Sequence, residues 1–232
     1  MNDLYHNQPQ IRCVSNFQDL VLTPFSGNVN ALCWFRELKG DFSEIVKKLN
    51  FKSSLTTIEP VELLELQLSE QGQLARDILL NDLGMLKAHG ASPVLNLISS
   101  YDRDLDNPVF ATDVYSFHAD RSPVPTYTFL CTYEGAPSEI LPNAQGIQKV
   151  LVPEIRSELK KYHAAAEGGF EEFLSEHFYD LHYQALPGAK PISLGQGHLW
   201  RLAVDHPESL VSPCIHRAPV EKPGEQRLML IC

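Results

Sequence analysis

The 232-residue chain is 44% hydrophobic and 21% charged, with a formal net charge of −10. This is the composition of a globular chain with a sizeable core, and the negative balance argues against a nucleic-acid groove, which needs clustered Lys and Arg. No apolar run approaches the ~20 residues of a transmembrane helix, so no membrane partner is expected. Residues 1–10 are polar and lack a basic segment followed by an apolar one, which predicts no secretory signal. The five cysteines are odd in number and form no CxxC pair; they read as reduced thiols of a cytoplasmic protein.

In chain order, residues 29–36 (VNALCWFR) predict a strand. Asp41 then caps a short helix with Phe42, Ile45, Val46 and Leu49 at helical spacing. Pro60 opens a helical stretch through Leu68, and a longer helix is expected from Gln73 to His89, with Gly90 just past its end. Residues 1–92 therefore read as a mixed, mostly helical support. The pattern changes at Pro93. VLNLIS, DVYSFH and TYTFLCTY are rich in β-branched and aromatic residues and are separated by turn formers. A helical insert over 143–190 follows: one helix from Pro153 to about Ala166, a break at Gly168-Gly169, and a second helix carrying Phe170, Phe173, Leu174 and Phe178. Strands return as HLWRLAV, LVSPCIHR and RLMLIC. Many short strands predict a sandwich or barrel over 93–232, within a single domain.

Phe117-His118-Ala119-Asp120 falls where DVYSFH ends. A His and an Asp two apart on extended chain point to the same side. With a second His from a distant strand they make a 2-His-1-carboxylate set, which leaves adjacent positions open on non-haem Fe(II). In a chain with nine histidines, HxD alone carries little weight, and its ordinary reading is a hydrogen-bonded pair. His216, at the end of an apolar strand, is the expected third ligand. A turn-rich stretch with Pro223-Gly224 follows, and Arg227 opens the last strand. If these strands form a hairpin, His216 and Arg227 lie opposite each other with Cβ atoms ~5 Å apart. An inward Arg on an otherwise apolar strand requires an anion; the alternative is that it snorkels to solvent.

His118-Ala119-Asp120, Gly197 before the strand HLWRLAV, His216 and Arg227 together resemble the Fe(II)/2-oxoglutarate-dependent dioxygenase superfamily. The stretches FHADRSPVPTYTFLCTYEGAPSEIL and IHRAP are also similar to an uncharacterised bacterial family with that predicted fold, and ALCWFREL adds a looser likeness. The resemblance covers roughly residues 93–232. It implies a mainly β fold with helices, in which a double-stranded β-helix (jelly-roll) core carries the N-terminal support and the insert. It further implies Fe(II) held by His118, Asp120 and His216 as the catalytic centre, and 2-oxoglutarate as co-substrate with its distal carboxylate on Arg227. O2 would be consumed as 2-oxoglutarate is converted to succinate and CO2, with hydroxylation of a small-molecule, amino-acid or peptide substrate as the default outcome.

Around this set, Tyr127 and Thr128 are candidates to hydrogen-bond the co-substrate, and Arg121, Tyr133 and Arg217 to contact substrate. Against that stands the reading in which the aromatics are core and the arginines form ion pairs outside the barrel. His177, His182, His198 and His206 could build another metal site, but five apart on a helix is a poor shared face and no carboxylate partner is evident. Two other functions remain: a cupin-like metalloenzyme that does not need Arg227, and a non-catalytic binding or scaffold protein on the same fold. The insert is expected either to cover the barrel mouth or to buttress it.

Overall fold

A computed structural model of the chain describes residues 5, 7–105, 107–163, 169–220, 222 and 224–232. In chain order the elements are β1 (Ile11–Val14), α1 (Phe17–Leu22), β2 (Ala31–Trp34), α2 (Phe42–Lys48), β3 (Leu55–Ile58), α3 (Pro60–Glu65), α4 (Glu70–Ala88) and β4 (Val94–Ile98). There follow β5 (Phe117–His118), β6 (Tyr127–Glu134), β7 (Glu139–Ile140), β8 (Gly146–Gln148), α5 (Pro153–His163), α6 (Phe170–Glu176), β9 (His182–Ala185), β10 (Ile192–Ser193), β11 (Leu199–Ala203), β12 (His216–Arg217) and β13 (Arg227–Ile231). No helix among the described residues is long and apolar enough to cross a membrane.

The fold is mixed, with helices layered on two sheets. One sheet has seven strands in the order β1-β2-β11-β6-β13-β4-β3, and the other has six in the order β10-β7-β12-β5-β9-β8. Among the described strands β1 and β2 pair parallel and the other strand pairs are antiparallel.

Local chemistry explains the helix starts. Asp41 accepts from Glu44 N at the head of α2, and Ser69 accepts from Gly72 N at the head of α4, each satisfying a backbone donor that the first turn leaves without a partner. Pro60 occupies the first turn of α3, where its missing N–H costs nothing. Gly90, just past α4, has φ +93, the left-handed conformation that ends a helix.

Side-chain alternation sorts the core into layers. Phe129, Cys131 and Tyr133 of β6, with Leu228 and Leu230 of β13, meet Phe42, Ile45, Leu79 and Leu86 on the helical side. Leu130, on the opposite face of β6, joins Trp200, Leu202, Ile140 and Cys214 between the two sheets. A smaller cluster of Val150, Leu159, Phe173, Leu174 and Tyr179 holds the insert together.

The strands of residues 1–92 belong to the seven-stranded sheet, where β2 pairs with β11 and β3 with β4, which extends it at both ends. Two sequence expectations are corrected. The insert is not only helical: β8 and β9 lengthen the six-stranded sheet beyond β5. Finally, His216 and Arg227 are not hairpin partners. β12 belongs to the six-stranded sheet, while β13 pairs with β4 and β6 in the other. The turn-rich connection crosses from one sheet to the other, because a strand as apolar as β13 is buried best between two neighbours. Within that connection Glu221 and Pro223 lie outside the described residues, as does Gly168 of the expected Gly-Gly break. Gly169 is the N-cap of α6.

Candidate metal centre

His118 and His216 are Cα partners across the antiparallel pair β5–β12, so their side chains leave the sheet on the same side. Their ring centroids are 4.6 Å apart. Asp120 is two residues beyond His118, in a segment pinned from both sides: Leu181 O accepts from Ala119 N at 3.0 Å, and Asp120 O accepts from Asp205 N at 2.8 Å. One carboxylate oxygen lies 3.9 Å from His118 Nε2 and the other 3.6 Å from His216 Nε2. One ligand atom from each of the three residues lies within 4.8 Å of the other two, the only such group of three among the described residues.

The tautomers follow from the neighbours. His118 Nδ1 is 2.8 Å from Ser116 O, and His216 Nδ1 is 3.2 Å from Cys214 O. A carbonyl can only accept, so each Nδ1 carries a proton, and each Nε2 faces Asp120. Backbone carbonyls commonly fix metal-binding imidazoles in this way. Burial, and then the proximity of His216, push the His118 imidazole down to about 4, so it is neutral and able to coordinate at pH 7. Burial opposes the charge on Asp120, but His216, a hydrogen bond from Thr128 Oγ1 and His118 outweigh it, and the carboxyl is held below its ordinary range. Two imidazoles and a carboxylate are a donor set suited to a divalent transition metal, Fe(II) among them.

The remaining predicted residues divide clearly. Thr128 faces the triad and donates to Asp120 Oδ2, so its partner is the candidate carboxylate ligand. Tyr127 is on the opposite face of β6, where Arg201 lies 4.5 Å from its ring centroid and Phe25 packs edge-on. Tyr133 is buried on the helical side and donates to Asp82 Oδ2 at 2.7 Å, beside the Arg36–Asp82 ion pair of 2.6 Å; it does not reach the triad's side of the sheet. Arg217 is paired with Glu139 at 2.7 Å and lies over Phe117, away from the triad. Arg121 borders the triad's cavity, with its guanidinium clamped between Asp180 and Asp205.

Arg227 has no exposed surface. Its Nε donates to Ala136 O at 2.7 Å and its Nη2 to Ser138 Oγ at 3.2 Å. Ser138 is two residues before Ile140, the register partner of His216 on β7. The guanidinium thus reaches from one sheet toward the other and meets the turn that leads into β7, the strand adjoining β12. Gly135 makes this approach feasible. Its φ is +82, and a Cβ there would meet Gln226 O at 2.4 Å and Arg227 Cγ at 2.9 Å.

A cavity of about 230 Å³ opens on the triad and is bounded by Asp113, Phe178 and His182 besides His118 and Asp120. His182 is the residue that sequence reading undervalued. It is the register partner of His118 on the other side of β5, only 4% exposed, and its Nδ1 has no hydrogen-bond partner among the described residues. Burial, then His118 and Lys149, push its imidazole down to about 3. Recognising HYQA as a strand beside β5 was the signal that would have found it. Phe178 holds a left-handed φ of +58 at the cavity wall, a strained conformation for a bulky side chain. His177 and His198 turn instead to the backbone of Phe173 and Arg36. The larger cleft of about 700 Å³ lies elsewhere, between Arg36, Asp41, Tyr133 and His198, and contains no group of three metal-ligating side chains among the described residues.

In comparisons with known proteins, no protein-family model, no curated protein and no solved structure matches this chain.

Proposed function

We propose that this chain is a non-haem Fe(II)- and 2-oxoglutarate-dependent oxygenase on a double-stranded β-helix core. The observation that carries the reading is the convergence of His118, Asp120 and His216 to within 4.8 Å of one another, beside a cavity that His118 and Asp120 line, with both Nδ1 atoms tied to backbone carbonyls. The strand order supports it. From β4 to β7 the chain alternates between the two sheets, and it does so again from β10 to β13, which is the path of two intertwined β-ribbons.

His118, Asp120 and His216 would hold the metal. Bound Fe(II) supplies the activation of O2 that couples conversion of 2-oxoglutarate to succinate and CO2 with oxidation of a substrate. Thr128 fixes the carboxylate through its hydroxyl. Arg227 faces the space between the sheets, with Met229 as its neighbour, and would bind the distal carboxylate of 2-oxoglutarate through charge-assisted hydrogen bonds. The substrate, a small molecule, amino acid or peptide, would occupy the cavity bounded by Phe178 and His182, two residues of the insert. That cavity lies beside a more open, apolar cleft of about 500 Å³ that shares Arg121 and Phe178 with it.

One observation favours the nearest alternative, a cupin-like metalloenzyme without 2-oxoglutarate: Arg227 is fully buried and already donates to Ala136 O and Ser138 Oγ. Anaerobic Fe(II) titration with and without 2-oxoglutarate separates the readings. A visible charge-transfer band that needs both supports the oxygenase. Iron binding without such a band favours the alternative, and no stoichiometric iron binding sinks both.

A further inference from the structure

Strand β1 is the edge of the seven-stranded sheet and runs parallel to β2, with Cys13 in register with Cys33. Side chains at paired positions on neighbouring strands leave the sheet on the same side, and such strands lie ~4.8 Å apart. That spacing falls inside the Cα separation of roughly 4.4–6.8 Å that a disulfide requires. The register sets the two thiols side by side on adjacent strands. Their surroundings differ sharply: Cys13 is exposed, whereas Cys33 is fully buried among Ile11, Leu130 and Trp200. The pair therefore joins one sulfur that a solute can reach to one that it cannot.

We infer that Cys13 and Cys33 are a peroxide-reactive pair, in which Cys13 is oxidised at the surface and Cys33 resolves it as an intramolecular disulfide. In the first step the Cys13 thiolate attacks one oxygen of hydrogen peroxide, the O–O bond breaks, and sulfenic acid and hydroxide form. In the second, Cys33 sulfur attacks the Cys13 sulfur and the S–O bond breaks. The Cys33 proton and the departing hydroxyl leave as water. Peroxide is the two-electron oxidant and the two thiols are the reductant.

The local chemistry suits both roles. The neighbouring Cys33 thiol holds the Cys13 thiol down at about 7, so a large share is thiolate at neutral pH. Burial, with Cys13 beside it, pushes the Cys33 thiol up, which keeps it protonated until its partner loses its charge. Cys131 and Cys214 are buried and also pushed up by burial, so neither competes for a solute oxidant.

The test needs neither iron nor a substrate, so it stands apart from the proposed activity. Cys13 and Cys33 fall on a single tryptic peptide, residues 13–36, with no Lys or Arg between them. The full-length protein, reduced and then treated with a small excess of hydrogen peroxide in the presence of chelator, should yield this peptide lighter by two hydrogens. The peptide should resist iodoacetamide until reduced with dithiothreitol. Before oxidation, Cys13 should alkylate at pH 7 about 10-fold faster than an ordinary exposed thiol, whose thiolate fraction there is only a few per cent. Cys33→Ser should stop at a Cys13 sulfenic acid that dimedone traps, and Cys13→Ser should leave Cys33 reduced. Recovery of both thiols in alkylatable form from oxidised wild-type protein would overturn the inference. So would a Cys33–Cys131 link, or dimedone labelling of wild-type Cys13 with Cys33 still free.

Discussion

His118 and His216 stand directly opposite each other across β5 and β12, although 98 positions separate them in the chain. Their facing imidazoles are held by short contacts to the carbonyls of Ser116 and Cys214, so each ring presents the same nitrogen to Asp120. Replacing either histidine removes one of the three converging ligand atoms. His118→Ala and His216→Ala should each weaken Fe(II) binding by more than the ~10–100-fold typical of losing a supporting contact, with far-UV circular dichroism unchanged. Stoichiometric tight iron in the folded double variant would rule out this centre.

Thr128 contributes through Asp120. Its hydroxyl donates to Oδ2 from the adjacent sheet, leaving Oδ1 to face His118. Thr128→Val keeps the shape and deletes the donor, and Fe(II) affinity should drop by roughly 10-fold or more. Thr128→Ser should restore most of it. Equal iron affinity in the valine variant would show that the carboxylate is positioned by other means.

Arg227 distinguishes the oxygenase from a metalloenzyme that lacks 2-oxoglutarate. A bidentate charge-assisted contact contributes roughly 1.5–3 kcal/mol, so Arg227→Ala should weaken 2-oxoglutarate binding by ~10-fold to 150-fold. Arg227→Lys, which keeps the charge but not the planar fork, should be impaired less. Iron affinity should be unchanged in both. Thermal unfolding monitors the lost contacts to Ala136 and Ser138, and equilibrium titration of the folded variants with 2-oxoglutarate under anaerobic Fe(II) decides the matter. Wild-type affinity in Arg227→Ala would leave the arginine a purely structural role.

Tyr133 should report on stability alone. Its hydroxyl donates to Asp82, a buried carboxylate that also takes both terminal nitrogens of Arg36. Tyr133→Phe should cost about 1–3 kcal/mol in denaturant unfolding, because a buried charged acceptor loses a donor. Fe(II) and 2-oxoglutarate affinities should match wild type; a change in either would return Tyr133 to the site.

Acid should destabilise the metal-free protein before its carboxylates titrate. His118 is held down at about 4 and His182 at about 3, against 6.5 in the unfolded chain. Between these values the unfolded state binds the protons and the folded state does not. Their contribution is therefore complete above pH 6.5 and is lost as pH falls toward 4. Each group adds a slope of about 1.4 kcal/mol per pH unit within that window. Denaturant midpoints measured from pH 7 to 5 should fall, and His182→Phe should flatten the decline by one proton's worth. Identical slopes for the variant and wild type would contradict the assignment for His182.

Helix caps and several strands were legible because they are local, although DVYSFH and LVSPCIHR, read as whole strands, are extended only at Phe117–His118 and His216–Arg217. Asp41, Pro60 and Gly90 each perform at their own positions the role that their chemistry predicts. The three ligand candidates were legible because HxD at a strand end is also a local signal and His216 ends an apolar run. Strand partners were not legible. The stretch after His216 has the composition of a hairpin turn, yet β13 inserts between β4 and β6; that choice depends on which neighbours bury Leu228 and Leu230, which no window of sequence contains. The same limit hid His182, whose importance comes from register with His118, 64 positions away. Tyr127 and Thr128 show the cost of reading a strand without its faces: adjacent in sequence, they point to opposite sides, and only Thr128 meets the triad.

β5 is only two residues long, and it lies between β12 and β9. A strand so short has almost no ladder of its own, so its order is borrowed from whatever flanks it. Without β9 it would be an edge, and His118 would fray with it. The insert therefore sets the lifetime of the ligand geometry. Amide hydrogen exchange at Phe117, His118 and Ala119 should follow the opening of residues 181–185, and it should slow in concert with them when metal ties β5 to β12.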